Sequence, residues 1–209
     1  VPYQMSDFAP VSLVTRAPNI LVTHPQVSAK SVHALIALAK ARPGELNYST
    51  SGSGSSSHLA IELLKFMTGI NLVHVPFKGS GQSMPALLAG QVQMIFDPLP
   101  TALPQIQSGT IRALASATAT RPRALPDLPT VAESGFPGFD MNDWNGLFAG
   151  AGVPKPIVDR MAAVAGEPGD VAADGAAGEQ VLAAVDLGCL GQDRGAAVTY
   201  QHDAMDRFV

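Results

Sequence analysis

A loop rich in serine and glycine is the part of this sequence best suited to bind a ligand. It spans residues 47–58, with the sequence NYSTSGSGSSSH, and leads into an apolar helical pattern at Leu59, Leu63, Leu64 and Met67. Such a loop presents unpaired backbone N–H groups at the positive end of a helix dipole, and glycines let the backbone approach a ligand closely. The pattern predicts an anion site; the alternative is a solvated turn capped by one of its own serines.

Nucleotide and hydrolase motifs fit this loop poorly. Gly52 and Gly54 begin a dinucleotide-binding fingerprint, but Ser57 stands at the third glycine position, and no Lys-Ser/Thr pair follows to make a P-loop. Neither this loop nor residues 78–81 have the Gly-x-Ser-x-Gly spacing of a nucleophile elbow. The spacing therefore disfavours nucleotide binding and Ser/His hydrolysis.

The composition indicates a globular protein. The chain has 209 residues, of which 46% are apolar and 14% charged, and its net charge of −4 comes without a basic run, so no nucleic-acid partner is expected. The apolar stretches fall short of the roughly 20 residues that cross a bilayer. The first residues of the given sequence do not have the charged and apolar segments of a signal peptide, so we expect the chain as given to be soluble. The single cysteine, Cys189, excludes an internal disulfide and has the apolar context of a buried side chain.

Strand and helix patterns alternate along the chain. Short apolar runs predict strands at residues 19–23, 46–48, 71–75, 92–96 and 111–115. Helical patterns lie between them after Ser31, after the Ser/Gly loop, and around residues 84–89. Repeated strand–helix–strand units imply an α/β fold with a parallel sheet and helices on both faces.

Three loops follow the ends of predicted strands, at residues 49–57, 76–82 and 97–101. The carboxyl ends of parallel strands meet at one edge of a sheet, which is where such folds bind ligands. The topology therefore predicts that these loops converge on a binding site.

Several segments, taken in order, resemble the Bug family, the extracytoplasmic solute receptors of tripartite tricarboxylate transporters. The resemblance covers residues 1 to about 160 and is carried by segments 7–13, 17–22, 46–58, 73–79, 90–97, 111–115 and 128–135. It implies a two-lobed clamshell of the type II periplasmic binding protein kind, with parallel or mixed sheets flanked by helices. Residues 21–145 are then expected to form lobe 2, and residues 1–20 and 146–209 part of lobe 1.

The chain departs from the family at both ends. Family members begin earlier, with a signal peptide and a first strand and loop that form the other wall of the cleft, so we expect an incomplete first lobe. Residues 165–170 and 175–178 carry glycines and a proline that interrupt what would be a longer helix in relatives. Trp144 is expected near the return crossing between lobes, or as an ordinary core aromatic.

The resemblance implies a periplasmic receptor that binds a small carboxylate, such as a di- or tricarboxylate, an acidic amino acid or an aromatic acid. It implies delivery to membrane transporter subunits, no catalysis and no cofactor, and we expect a monomer. One alternative is an enzyme that holds a carboxylate or phosphate at the same helix N-terminus while His58 or Asp97 performs acid–base chemistry. Another is a truncated relic with no uptake role.

The ligand carboxylate is expected against the Ser/Gly loop, at Ser51, Gly52, Ser53, Gly54 and Ser55. Neutral donors suit a receptor, because it must release its ligand.

Five residues outside that run complete the predicted site: His58, Lys78, Gly79, Ser80 and Asp97. His58 is predicted to orient the loop or donate to the ligand, or alternatively to cap or pack. Lys78, the only cation beside these loops, is predicted to contact the ligand; the alternative is a solvated lysine. Asp97 is predicted to receive an amino group or to cap the turn toward Thr101. The other histidines lack metal-ligand spacing, so no metal is assigned.

Overall fold

The computed structural model describes residues 3–165, 169–170 and 198–200. Its strands are β1 (Phe8–Thr23), β2 (Asn47–Thr50), β3 (Val73–Pro76), β4 (Met94–Pro98), β5 (Arg112–Ser116), β6 (Asn142–Gly150), β7 (Gly169–Asp170) and β8 (Val198–Tyr200). Its helices are α1 (Val32–Ala41), α2 (Ser56–Thr68), α3 (Ser80–Leu88), α4 (Leu99–Gln107) and α5 (Lys155–Ala165), and a 3-10 turn at Met5–Asp7 precedes β1. None of the helices in this part of the chain combines the length and apolarity that a membrane span needs.

The described residues form two compact units. The central unit comprises Ala17–Asp143, and the terminal unit comprises the residues up to Arg16 together with the described residues from Trp144 onward. The long strands β1 and β6 each contribute residues to both units. The boundaries between lobes expected from the family resemblance stay a prediction.

The central unit contains a mixed sheet in the order β3-β2-β4-β1-β5. β2 pairs in parallel with both β3 and β4, as the strand–helix–strand pattern predicted. β1, however, is antiparallel to β4 and β5, so the sheet is mixed, one of the two forms that the family resemblance implied, and not parallel as the strand–helix–strand pattern indicated. Alternating apolar residues look the same in either strand direction, and the connection through α1 is long enough to return the chain either way.

Apolar side chains fill both faces of this sheet. On one face, Leu21 and Phe96 pack with residues of α1 and α2, whereas on the other face Ile20 and Ile95 pack with residues of α3 and α4. Neighbouring residues of one strand thus enter different clusters, because successive side chains of a strand point to opposite faces. The result is a three-layer α/β unit whose inner strands β2 and β4 are buried on both sides, whereas the edge strand β3 is partly exposed.

Local signals explain where the first two helices begin and end. The Ser31 hydroxyl caps α1 by accepting the N–H of Ala34, and the Ser55 hydroxyl caps α2 by accepting the N–H of His58. α2 ends at Gly69, which has a φ of 67° and supplies the left-handed residue that commonly terminates helices.

The next two helices differ from the sequence prediction. α3 begins at Ser80, within the loop predicted at residues 76–82, and α4 occupies residues 99–107, where only a loop had been expected at 97–101. α4 has a proline in its first turn, where the missing N–H costs nothing. The predicted helix break at 175–178 and Cys189 lie outside the described residues.

The terminal unit is built around the outer parts of β1 and β6. β6 pairs antiparallel with β8 between Gly146 and Tyr200, and β1 pairs in parallel with β7 at Thr15. The Asn145 amide donates to the Thr15 hydroxyl at 2.9 Å. Side-chain and strand contacts therefore join segments that are far apart in the sequence.

Two apolar residues of α2 test the packing of the central unit. Leu64 is completely buried among the residues of the α1/α2 face, whereas Phe66 is 79% exposed. We expect Leu64→Ala to lower the free energy of unfolding by about 2–5 kcal/mol, because it removes buried methyl groups and leaves a cavity. Phe66→Ala should change it by only about 0.5 kcal/mol. Urea denaturation measures both, and equal losses would contradict this orientation of α2.

Candidate functional site

Three loops lie at one edge of the central sheet. β2, β3 and β4 are parallel, so their carboxyl ends share this edge. Beyond the strand ends the first two loops are joined by backbone hydrogen bonds, from Phe77 N–H to Thr50 O (3.1 Å) and from Gly79 N–H to Ser51 O (2.9 Å). The third loop follows β4, which lies on the other side of β2. The edge thus carries all of the residues predicted for the site.

The Ser/Gly loop depends on two glycines with positive φ. Gly52 has a φ of 145° and Gly54 a φ of 83°, conformations that other residues rarely adopt. The Ser55 hydroxyl donates to Gly52 O at 2.7 Å while it also caps α2. The hydroxyl of Ser55 is therefore used within the loop, as the alternative of a self-capped turn requires.

Three backbone N–H groups of the loop remain available. Within the part of the chain that the structure describes, the N–H groups of Ser53, Ser56 and Ser57 donate no hydrogen bond. Ser53 is exposed, whereas the other two residues are buried in the first turn of α2. Unpaired N–H groups at the start of a helix form a site that favours negative charge.

Two histidines hold the ends of this loop. The Gly54 N–H donates to Nδ1 of His58 at 3.1 Å, and Nε2 of His74 lies 2.7 Å from the Thr50 hydroxyl, which accepts the Gly52 N–H. The imidazoles stack on each other with centroids 4.3 Å apart. Burial, and then the neighbouring His58, lower the pKa of His74. His58 thus occupies the loop-orienting position, one of the alternatives open from its sequence.

The second loop meets the first through its backbone. Gly79 precedes α3 with a φ of 99° and is the residue bonded to Ser51. Lys78 and Ser80 are exposed, and the Lys78 N–H donates to Oε1 of Gln82 at 3.3 Å. The structure therefore brings this loop to the edge while the side chains of Lys78 and Ser80 lie at the surface.

Asp97 is buried at the end of β4, with only 1% of its surface exposed. The hydroxyl of Thr101 donates to its carboxylate and also to Pro98 O. Burial is the main cause that raises the pKa of Asp97, to about 6; the Thr101 hydrogen bond opposes this shift, and the nearby Asp143 adds to it. Asp97 therefore makes the capping contact toward Thr101 and gains its charge near neutral pH.

Several polar residues at this edge were not among the predicted site residues, including one in β1 and one in β6. Asn19 lies in β1 opposite Pro98, because β1 is antiparallel to β4. Asp143, in β6, accepts a 2.7 Å hydrogen bond from the buried hydroxyl of Ser56. Asn19 is a polar residue directly before the apolar run of residues 20–22, a signal that could have drawn attention to it, whereas nothing local marks Asp143.

Other features of the central unit do not compete with this edge. A cavity of about 250 Å³ is lined by residues that include His24, Arg42 and Gln93, and no predicted site residue lines it. Among the described residues, no group of three or more His, Cys, Asp or Glu side chains could hold a metal ion.

Curated proteins similar to this chain include two bacterial relatives. Protein BugT of Bordetella pertussis is 41% identical over 160 residues, which cover 76% of this chain and 49% of BugT. The UPF0065 protein in the tcbD-tcbE intergenic region of Pseudomonas sp. is 37% identical over 163 residues, 77% of this chain and 48% of that protein. The chain thus spans about half the length of these relatives.

Solved structures share the fold. R. palustris Rpa4515 with adipate is 41% identical with a TM-score of 0.73, covering 76% of this chain and 54% of that one. MatC (Rpa3494) from Rhodopseudomonas palustris with bound malate is 32% identical with a TM-score of 0.76, covering 88% and 61%. Periplasmic binding protein BugD is 34% identical with a TM-score of 0.70, covering 74% and 52%.

A protein-family model also matches most of the chain. The model of the tripartite tricarboxylate transporter family receptor, TctC, matches residues 1–188. The mixed α/β fold expected from the resemblance is confirmed by the periplasmic binding protein structures that it matches. The chain belongs to the tripartite tricarboxylate transporter family of receptors.

Proposed function

We propose that this chain provides ligand-binding residues of an extracytoplasmic receptor for a small carboxylate. The ligand lies at the edge formed by the Ser/Gly loop and the start of α2, and it is bound and released without chemical change. The protein acts in the periplasm as a monomer and delivers its ligand to membrane transporter subunits. The family description and the periplasmic relatives support this location and this role.

The observation that carries this proposal is the set of unpaired N–H groups at Ser53, Ser56 and Ser57. A carboxylate accepts hydrogen bonds at both oxygens, and the dipole of the 13-residue helix α2 favours its charge at this end. A second observation points to the same place: the buried Asn19 amide, on the face of the sheet that packs against α2, lacks a partner among the described residues.

The ligands of similar proteins support a carboxylate in particular. Adipate is bound to Rpa4515 and malate to MatC, and both are dicarboxylates. A helix N-terminus alone would accept a phosphate as readily. The relatives therefore narrow the ligand class that the geometry leaves open.

The contacts of the His58 ring favour binding rather than catalysis. Its Nδ1 accepts the Gly54 N–H, and its Nε2 lies 3.9 Å from Oε1 of Glu62, one turn along α2. A general base needs a ring nitrogen within reach of the reacting proton, and both nitrogens of His58 face other groups. We assign His58 and Ser55 to holding the loop, and the free N–H groups of Ser53, Ser56 and Ser57 to the ligand. Ser51, Gly52 and Gly54, whose N–H groups are paired within the loop, give the turn its shape beside the ligand.

Lys78, Gly79 and Ser80 are proposed to form the outer wall of the site. Gly79 is bonded to Ser51, so a ligand on the first loop lies beside the second. The exposed Lys78 ammonium attracts anions to this edge without being buried with them, which keeps release easy.

Calorimetric titration of the full-length protein encoded by this gene tests the proposal. We expect one of adipate, malate, citrate, glutamate or benzoate to bind with about micromolar affinity, near −8 kcal/mol. Recovery of the acid unchanged after incubation separates binding from turnover. Chemical conversion of the acid would favour the enzyme alternative, and neither binding nor conversion would favour a relic.

Two glycines at opposite ends of α2 provide a matched comparison. Gly54 and Gly69 both have positive φ, and a Cβ at either would meet no atom within 4 Å. Gly54→Ala and Gly69→Ala should each lower the free energy of unfolding by about 1 kcal/mol, because alanine is strained in this conformation. Only Gly54→Ala should weaken carboxylate binding, by about 10-fold or more, since it alone displaces the loop. Equal effects of the two substitutions on affinity would show that the loop is not part of the ligand site.

Asp97 should influence which acids bind. As the pH rises through about 6, Asp97 loses its proton and places a negative charge at the edge. Affinity for adipate should then fall relative to an Asp97→Asn variant, by about 3-fold or more between pH 5 and pH 7.5, because like charges repel. Glutamate, which carries an ammonium group, should show the opposite sign.

Comparing the two proteins at each pH cancels the titration of the ligand itself. Asp127→Asn, at an exposed aspartate, serves as the control and should leave affinity within about 2-fold. A wild-type to Asp97→Asn affinity ratio that stays constant from pH 5 to pH 7.5 for both ligands would place Asp97 outside the field of the ligand.

A further inference from the structure

The side chain of Asn19 is fully buried, and neither its amide nitrogen nor its amide oxygen has a hydrogen-bond partner among the described residues. Buried side-chain amides are nearly always paired, since leaving them unpaired sacrifices their hydration without a replacement. Asn19 leaves two such atoms unpaired, and a ligand outside the described chain would satisfy both if Asn19 lies at the site.

Asn19 lies at the edge that carries the site. Its register partner in β4 is Pro98, next to Asp97. On the other side, Asn19 O accepts the N–H of Ala117, and Ala117 O accepts the N–H of Met141, two residues before Asp143. Asp143 in turn holds the hydroxyl of Ser56 at the first turn of α2.

The strand pattern also decides which face Asn19 occupies. Leu21 packs with Ala60 and Ile61 of α2, and residues two apart on a strand point to the same face. Asn19 therefore faces the α2 side, at the end of the sheet where α2 begins. Asp97 pairs with Ile20 and lies on the opposite face, toward α4.

We infer that the Asn19 amide is a ligand-binding group, and this rests on the proposed function. Its Nδ2 donates to an oxygen of the carboxylate held at the start of α2. Its Oδ1 accepts from a hydroxyl or ammonium group on the carbon next to that carboxylate. Only an acid with such a group satisfies both amide atoms, so Asn19 selects 2-hydroxy and 2-amino acids over unsubstituted ones.

The same strand offers a matched control. The Thr23 hydroxyl is also buried without a partner, on the same face of β1, but its register partner is Met94 at the far end of β4. Asn19→Leu and Thr23→Val each replace an unpaired polar group with an apolar one. Both should raise the melting temperature of the ligand-free protein by about 2 °C or more.

Ligand affinity should distinguish the Asn19 variant from the Thr23 variant. On the full-length protein, Asn19→Leu should weaken malate binding by about 10-fold or more and reduce the preference for malate over succinate, which lacks the hydroxyl. Thr23→Val should leave both affinities within about 2-fold. If the leucine does not fit, Asn19→Ala should lose malate affinity in the same way.

Each other result overturns the inference. Malate affinity within about 2-fold of wild type in both Asn19 variants would show that the amide does not contribute to ligand binding. A lower melting temperature together with equal losses for malate and succinate would give Asn19 a purely structural role. If the wild type binds other acids but neither of these two, the ligand class is wrong, whereas a wild type that binds no acid refutes the proposed function itself.

Discussion

The parallel pairing of β2 with β3 is the constraint on which the site depends. Their hydrogen-bond ladder continues past the strand ends, where Thr50 O and Ser51 O accept the N–H groups of Phe77 and Gly79. The two loops are therefore an extension of the sheet rather than free segments. A parallel pair places both carboxyl ends at one edge, so residues separated by a whole helix in sequence share one surface.

Given that constraint, the Ser/Gly loop has little freedom left. Its glycines supply the positive φ values that the turn into α2 requires. The stacked His58 and His74 hold it through the Gly54 N–H and the Thr50 hydroxyl respectively. Internal hydrogen bonds consume most of its donors. The few N–H groups that remain unpaired at Ser53 and the start of α2 are consequently fixed before any ligand arrives, which reduces the ordering cost of binding.

The two faces of the sheet give this edge different chemistry. On the α2 side stand neutral donors, from the helix N-terminus and the buried Asn19 amide, beside the Asp143 carboxyl that accepts from Ser56. On the α4 side stands the carboxyl of Asp97. The α2 side suits an anion, and Asp97, whose pKa of about 6 follows mainly from burial, adds a charge that depends on pH. An arrangement of dipoles without a facing buried cation among the described residues favours reversible binding over a permanent ion pair.

The sequence alone determined the local features: the Ser/Gly loop before α2, the serine that caps this helix, the glycine that ends it, the strand–helix alternation and the family. These follow from backbone propensity and periodicity, which act over a few residues. Only the tertiary structure decided that β1 runs antiparallel, that Asn19 meets the end of β4, and that Ser56 meets Asp143. A period of two is the same in both strand directions, and burial of a polar side chain depends on distant segments, so no local pattern could encode these contacts.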